Sequence, residues 1–176
     1  MTEHERISGV RRTLLAGSGL VLAAIALAGC GGSSKSSASD QTIQKEAAYY
    51  QIDQIEQTWH RAASHHDVNL MMTLWAPGAV FNVGGKTLSG KAQIRNFFAK
   101  ENAAFMPQHH WESDTPSYKI KVTVNGDKGT LYFECHFVDV KTGAVKSLVG
   151  VDEDVQRIDG KWLIVQSAVA TPVLSQ

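Results

Sequence analysis

Apolar side chains recur at helical spacing between residues 41 and 65, at every third or fourth position. This period predicts one amphipathic helix with a single buried stripe. Asp40 is expected to cap the start of this helix, and Asp67 the start of a short second helix. Pro77 and Gly78 should end the second helix. The stripe of the first helix comprises Ala48, Ile52, Ile55, Trp59, Ala62 and His66.

The next two segments predict a hairpin and a third helix. Residues 79–90, AVFNVGGKTLSG, place two short apolar stretches around Gly84 and Gly85, which is the pattern of a tight β-hairpin. Residues 90–105, GKAQIRNFFAKENAAF, have helical periodicity and should turn their phenylalanines toward the core.

After Pro107 the apolar period changes from 3.6 to 2, which predicts four long antiparallel strands. Glycine-containing turns at residues 125–127, 141–143 and 159–160 separate these strands. Helices followed by a run of strands make an α+β fold, with the helices gathered on one face of the sheet.

The last of these strands is apolar on both faces, and a strand of this kind is covered on both sides. The helices cover one face. A second copy of the same sheet is the simplest cover for the other, so we expect a homodimer. The two predicted faces are Trp162, Ile164 and Ala168 on one side, and Leu163, Val165 and Val169 on the other.

Residues 1–29 have the pattern of a bacterial export signal. Arg6, Arg11 and Arg12 precede an uncharged apolar run at residues 14–28. That run of about 15 residues is shorter than the roughly 20 that a membrane-spanning helix needs, which favours a cleaved signal over an anchor helix. The paired arginines fit either a twin-arginine signal or an ordinary basic start, and both interpretations stay open.

The four residues Leu27-Ala28-Gly29-Cys30 at the end of the apolar run resemble the lipobox of bacterial lipoproteins. The resemblance implies that Cys30 is acylated in the mature chain, which places the protein on the extracytoplasmic side of the cell membrane with the bilayer as its partner. Two or more acyl chains make such anchoring stable. Residues 30–40 then comprise the lipidated cysteine and a flexible Gly/Ser tether, and residues 41–176 form the folded domain.

Composition narrows the functional classes. The 17 basic and 17 acidic side chains balance, and this gives no indication of a nucleic-acid partner. With Cys30 acylated, Cys135 has no disulfide partner in the chain. Its alternation with Leu131 and Phe133 predicts an inert, buried thiol. His65 and His66 are neighbours whose side chains diverge, and no HExxH motif or cysteine pair occurs, so we expect no metal and no other cofactor.

The order of these elements, together with five motifs, resembles the cone-shaped superfamily that includes nuclear transport factor 2 and the SnoaL-like polyketide cyclases. The resemblance extends over nearly all of residues 41–176 and implies a conical pocket enclosed by a curved sheet and helices, with dimerisation through the open sheet face. The superfamily hosts isomerases, dehydratases, cyclases, epoxide hydrolases and binding modules, so the fold does not choose among them. The motifs are ASHHDVNLMMTLWAPGAVF, LSGKAQIRNFF, HHWESD, VNGDKGTLYF and IDGKWLIVQSAV.

Within HHWESD, the resemblance points to His110 and Asp114 as candidate catalytic residues. In SnoaL-like relatives a histidine followed four residues later by Asn or Asp, at the start of the third strand, often faces the pocket. Histidine serves as a general acid or base, and a neighbouring carboxylate can orient its ring. The alternative is a histidine at the mouth of a strand that is held by backbone hydrogen bonds.

Aromatic residues are candidates for the pocket wall. Tyr50 on the first helix is expected to reach the mouth of the pocket, Trp111 its rim, and Trp59 either to line the pocket or to fill the core. Glu134 shares a strand face with Tyr132 and is expected to face solvent or the dimer contact.

Two functions are compatible with these observations. The first is a membrane-anchored domain that binds a small apolar molecule in its pocket or serves as an interaction module. The second is an acid–base enzyme, of the isomerase, dehydratase or cyclase kind, that acts on a lipophilic substrate through His110 and Asp114. Because the sequence shows no pair of carboxylates in clearly different environments, the binding hypothesis is favoured, and the question of catalysis stays open.

Overall fold

A computed structural model describes residues 37–114, 117 and 119–169, together with the backbone of residues 174–175. The predicted export signal, Cys30 and most of the predicted tether lie outside the described residues. Among the helices that are described, none combines the length and the apolarity that crossing a membrane requires.

Helices and strands follow one another in the described residues as an α+β fold, which confirms the predicted class. The helices are α1 (Ala38–Ser64), α2 (Val68–Met72) and α3 (Gly90–Lys100), with a 3₁₀ turn at Ala103–Phe105. The strands are β1 (Trp75–Val83), β2 (Lys86–Ser89), β3 (Trp111–Ser113), β4 (Ile120–Asn125), β5 (Lys128–Asp139), β6 (Val145–Ile158), β7 (Lys161–Val169) and β8 (Leu174–Ser175).

These strands form one sheet in the order β2-β1-β7-β6-β5-β3. Strand β4 also pairs with β5, so β3 and β4 lie one after the other along the same edge of β5, and the short β8 pairs with β6. The predicted antiparallel pairing needs one correction, because β1 runs parallel to β7. The two strands are far apart in sequence, and parallel neighbours of this kind are joined by long connections.

Pro77 and Gly78 lie inside β1 and do not end α2, which stops at Met72. The pairing of β1 with β7 shifts register between Trp75 and Val80, and Pro77 falls in that gap. Proline has no backbone N–H to donate, so a position between two paired stretches accommodates it. The predicted hairpin is present between β1 and β2, and Gly84 and Gly85 both have the positive φ that its tight turn requires.

Helix α1 is capped three residues before the predicted position, at the end of the serine-rich segment. Ser37 is the N-cap: its hydroxyl accepts a hydrogen bond from the backbone N–H of Asp40 at 3.2 Å, and its own N–H donates to the Asp40 carboxylate at 3.0 Å. Asp40 is therefore the returning partner of a capping box and not the cap itself. Asp67 caps α2 as predicted, because its carboxylate accepts from the N–H of Leu70 at 2.8 Å.

The buried stripe of α1 is wider than the apolar pattern indicates. Ile52, Ile55, Trp59 and Ala62 are buried as predicted, whereas Ala48 and His66 are only half-buried. Glu56, His60 and Ala63 are buried as well.

A bulge in β7 changes which of its side chains face the helices. Val155 of β6 pairs with Ile164, but Asp154 pairs with Gln166, so Val165 is an extra residue. The bulge reverses the alternation that follows. Ser167 and Val169 take the inner face, toward the helices, and Ala168 takes the outer face, against the prediction for positions 168 and 169.

An aromatic cluster between α1, α3 and the inner face of the sheet forms the centre of the core. Trp59 lies 5.9 Å from Trp75 and 5.6 Å from Phe98 between ring centroids, and Phe81 stacks on Phe98 at 5.7 Å. Helix α3 ends at Lys100 and not at residue 105, because the side chain of Asn102 caps the separate 3₁₀ turn.

Candidate functional site

A cavity of about 280 Å³ opens between α1, α3, the 3₁₀ turn and the inner face of the sheet. Its wall is mostly aromatic and aliphatic, and its exposed members Glu101 and Ala103 mark the mouth. The cavity is lined by Trp59, Ala63, Phe81, Val83, Phe97, Phe98, Glu101, Asn102, Ala103, Ala104, Phe105, Trp111, Cys135, Phe137, Ser147, Val149, Val151 and Val169.

Two of the three aromatic candidates belong to this wall. Trp59 enters it from α1 and Trp111 from β3, where the indole also contacts the ring of His109. Tyr50 does not line the cavity, since it is 66% exposed. At about 100° per residue, the nine positions between Tyr50 and Trp59 place their side chains on opposite sides of α1.

His110 and Asp114 lie outside the cavity wall, and they contact other residues instead of each other. Nε2 of His110 lies 3.0 Å from Oδ2 of Asp139, and Asp114 lies 3.4 Å from Nδ1 of His136. Four residues of strand span about 13 Å, so two side chains with this spacing cannot meet along extended backbone. Each instead meets a residue of β5, the strand that pairs with β3.

Asp139, the last residue of β5, fixes the ring of His110. Burial raises the pKa of the Asp139 carboxyl, but hydrogen bonds from the backbone N–H groups of Thr142 and Lys141 and the proximity of His110 outweigh it, so the net pKa is lowered. The ring of His110 is 37% exposed. The arrangement is a His–Asp pair at the outer rim of the domain, with a partner that the sequence did not indicate.

Glu134 is buried on the outer face of the sheet, contrary to the predicted exposure. Its carboxylate lies 2.8 Å from Nζ of Lys119 and accepts a hydrogen bond from the hydroxyl of Tyr132 at 2.9 Å. The bond from Lys119 lowers the pKa of Glu134, and burial opposes it only in part. Ser117 and Lys119, which precede β4, contact Glu134, and strand alternation alone does not reveal these contacts.

This pair predicts a pH dependence of stability. A carboxylate with a lowered pKa stabilises the fold above its ordinary pKa, and this contribution disappears as the pH falls through the folded-state value. We expect Glu134→Gln to lower the free energy of unfolding by about 1–3 kcal/mol at pH 7 and by much less at pH 3. Urea unfolding at both pH values measures the difference. Glu112→Gln, at an exposed position of β3, is the control, and an equal cost of Glu134→Gln at both pH values would contradict the assignment.

Buried polar residues that the sequence reasoning missed lie beneath the cavity on the inner side. Nδ1 of His60 lies 2.6 Å from Oε1 of Glu56 one helical turn earlier, and the N–H of Ser117 donates to the same oxygen at 2.9 Å. The i, i+4 spacing beside the apolar stripe was the available signal.

Glu153 and Ser167 form a second buried polar pair, directly opposite each other on β6 and β7. Glu153 is 3% exposed and Ser167 is 0% exposed, and their side-chain oxygens have no hydrogen-bond partner. Burial raises the pKa of Glu153 well above its ordinary value. The segment VDEDV looks like a solvated acidic run, but Val151, Glu153 and Val155 share one strand face, and that period places Glu153 inside.

Cys135 is a free, buried thiol, as predicted, and burial raises its pKa. A thiol that stays protonated is a poor nucleophile. In the part of the chain that the structure describes, no three His, Cys, Asp or Glu side chains are grouped to hold a metal ion.

Solved structures share this fold at low sequence identity. A nuclear transport factor 2-like protein with a cystatin-like fold from Novosphingobium aromaticivorans is 16% identical, with a TM-score of 0.64 over 77% of this chain and 90% of that chain. A nuclear transport factor 2-like protein of unknown function from Pseudomonas putida is 15% identical, with a TM-score of 0.62 over 72% and 88% of the two chains. A superfamily protein from Salmonella enterica is 16% identical, with a TM-score of 0.60 over 74% and 95%.

None of the curated proteins matches this sequence. Residues 44–168 match the SnoaL-like domain family. The matched range extends from α1 to β7. The predicted resemblance is therefore confirmed at the level of family and fold: the chain belongs to the SnoaL-like domain family, and it shares its fold with nuclear transport factor 2-like proteins.

Proposed function

We propose that this domain binds a small, mostly apolar molecule in the cavity between α1, α3 and the sheet. The observation that carries the proposal is a cavity of about 280 Å³ whose wall is largely aromatic and aliphatic. Protein interiors are otherwise close-packed, and unfilled apolar space costs stability. Its volume is at the lower end of ligand pockets, which span roughly 300–1,000 Å³, so the ligand is small.

The positions of the titratable side chains favour binding over acid–base chemistry with His110 and Asp114. Neither residue is part of the wall, and each is engaged by a partner on β5. The charged residue in the wall is Glu101, which is exposed at the mouth. A general acid or base must reach the proton that it transfers, so a substrate in this cavity is out of reach of the rim pair.

A bulky side chain in the wall should abolish binding. Val149 lines the cavity from β6, and we expect Val149→Trp to weaken the binding of indane, a small apolar probe, at least tenfold by filling its space. The fluorescence of the tryptophans in the wall, Trp59 and Trp111, reports binding. Val145→Trp is the matched control, because Val145 lies on the same strand, is 45% exposed and is outside the wall. Equal affinities of both variants would refute the cavity as the binding site.

We further propose that acylated Cys30 holds the domain at the extracytoplasmic surface of the cell membrane. The support is the lipobox-like sequence and the position of α1, which begins at Ala38. Residues 31–37 then remain as a tether, with a root-mean-square reach of about 15 Å by random-coil scaling. A domain on so short a tether meets apolar molecules that partition into the bilayer.

We propose that the outer face of the sheet is the contact of a homodimer. The sequence predicted this face to be apolar, but it carries charged side chains. Lys121 lies on this face together with Asp152 and Asp154, so a copy related by two-fold symmetry can pair opposite charges. We expect light scattering of the mature Cys30→Ala chain to give the mass of a dimer at micromolar concentration in low salt. Exposed ion pairs are screened by salt, so the dimer should weaken in 0.5 M NaCl. A monomer in low salt would rule out the dimer.

A further inference from the structure

The deepest part of the inner face holds a carboxyl and a hydroxyl that nothing in the described fold satisfies. Glu153 and Ser167 are opposite each other on β6 and β7, both almost fully buried, and no hydrogen bond reaches the two carboxyl oxygens or the hydroxyl. Buried polar groups are nearly always paired. An exception in the middle of a sheet requires a partner that the polypeptide itself does not supply.

The cavity leads toward this pair. Val151 and Val169 face each other across the same two strands, and both line the cavity. Glu153 and Ser167 are the next inward-facing pair along these strands, about 7 Å further on. Phe81, which also lines the cavity, is in register with Ser167 on β1. A ligand that displaces these apolar side chains therefore contacts the carboxyl of Glu153 and the hydroxyl of Ser167 next.

Hydrogen-bond donors predominate at this end. Burial raises the pKa of the Glu153 carboxyl and so favours its protonated form, which donates one hydrogen bond. The hydroxyl of Ser167 supplies a second O–H. The indole N–H of Trp75, in register with Ile164 of β7 one inward-facing position further along, also has no acceptor.

The surroundings favour a neutral acceptor over an anion. Among the buried residues that the structure describes there is no lysine or arginine to balance a second negative charge. The buried titratable groups of helix α1, Glu56 and His60, contact each other. An anionic head group would therefore be placed beside carboxyls without a cation, which is costly in an apolar interior.

We propose that Glu153 and Ser167 form a polar subsite at the inner end of the cavity, which binds the carbonyl oxygen of an otherwise apolar ligand. This inference rests on the proposed function, because it assigns the ligand class of the same cavity. The ligand is then a small, uncharged ketone or aldehyde with an apolar body. Its oxygen accepts hydrogen bonds from the carboxyl of Glu153 and the hydroxyl of Ser167.

Indane and 1-indanone test the subsite, because they share a skeleton and differ by one carbonyl group. We expect the wild type to bind 1-indanone about three- to tenfold more tightly than indane, the usual gain from one or two hydrogen bonds. Glu153→Met removes the carboxyl donor at similar size and should remove most of this preference, with the remainder due to Ser167. Glu153→Gln keeps an uncharged donor in its amide and should retain most of it. Ser167→Ala should reduce it in part.

A second readout separates a hydrogen bond from a change of cavity shape. The carbonyl stretching band of bound 1-indanone shifts to lower frequency when an acid donates to its oxygen. We expect this shift in the wild type and in Glu153→Gln and its loss in Glu153→Met.

The outcomes distinguish this inference from the proposed function. If the wild type and Glu153→Met bind indane and show the same preference for 1-indanone, the subsite is wrong and the apolar cavity stands. If the wild type binds neither probe, the proposed function fails and the subsite fails with it. A preference that is mostly lost in Glu153→Met, retained in Glu153→Gln and accompanied by the band shift supports both.

Discussion

Replacing Glu153 by Met is expected to make the protein more stable, by about 1–3 kcal/mol even where the carboxyl is neutral in both the folded and the unfolded state. The side chain is 3% exposed and its oxygens have no hydrogen-bond partner. A buried polar group without a hydrogen-bond partner destabilises the fold by the cost of its desolvation. An apolar side chain of similar shape does not carry this cost. Most core substitutions act in the opposite direction.

The gain should increase with pH. The pKa of Glu153 is raised by burial in the folded state, above its ordinary value of 4.5. As the pH rises through that ordinary value, the unfolded chain loses its proton while the folded chain keeps it, so the unfolded state becomes relatively more stable. The wild type therefore loses about 1.4 kcal/mol for each pH unit between the unfolded-state and the folded-state pKa values. The Glu153→Met variant does not lose this stability, because methionine has no titrating group.

Guanidinium unfolding of both proteins at pH 4, 6 and 8 measures the effect as a difference that increases with pH. Glu112→Gln is the control, because Glu112 is exposed on β3, and exposed substitutions usually change stability by less than about 0.5 kcal/mol. A Glu153→Met variant that is less stable than the wild type at every pH would show that the carboxyl has a partner in the folded protein.

Cys30→Ala should move the protein completely from the membrane to the soluble fraction, or leave its export signal uncleaved. Acyl chains contribute about 0.8 kcal/mol for each buried CH₂ group, and two chains together anchor stably. Fractionation and intact mass of the mature chain measure the two outcomes.

The second cysteine of the chain offers the matched control for this experiment. Cys135 is buried in the sheet and should stay free of lipid, so Cys135→Ala should leave the protein on the membrane. A mature wild-type chain whose N-terminus is unmodified, or lies at a residue other than Cys30, would refute the lipoprotein assignment.

Local sequence patterns were sufficient wherever a short segment determines its own geometry. The helical period predicted α1 and the positions of Ile52 and Trp59, and Asp67 predicted the start of α2. The pair Gly84-Gly85 predicted the first hairpin because few other residues adopt positive φ at both positions. The order of these elements, together with five short motifs, carried the resemblance to the family.

The candidate site depended on pairings between distant segments, and for that reason sequence reasoning recovered only part of it. His110 and Asp114 are close in sequence, but an extended strand separates them, and the register of β3 against β5 brings Asp139 and His136 beside them instead. Trp111 was expected at the pocket rim as the neighbour of His110, and in the structure it lines the cavity.

The sequence by itself determined the helices, the turns and the inner faces of most strands, because each follows from a period or a turn residue that acts over a few positions. The resemblance of its motifs to known proteins indicated the family. Only the tertiary structure decided the parallel pairing of β1 with β7 and the bulge at Val165 that turns Ser167 inward. One extra residue reverses every later side chain of a strand, and no local pattern marks it. The polar pair of Glu153 and Ser167 exists only because β6 and β7 meet in this register.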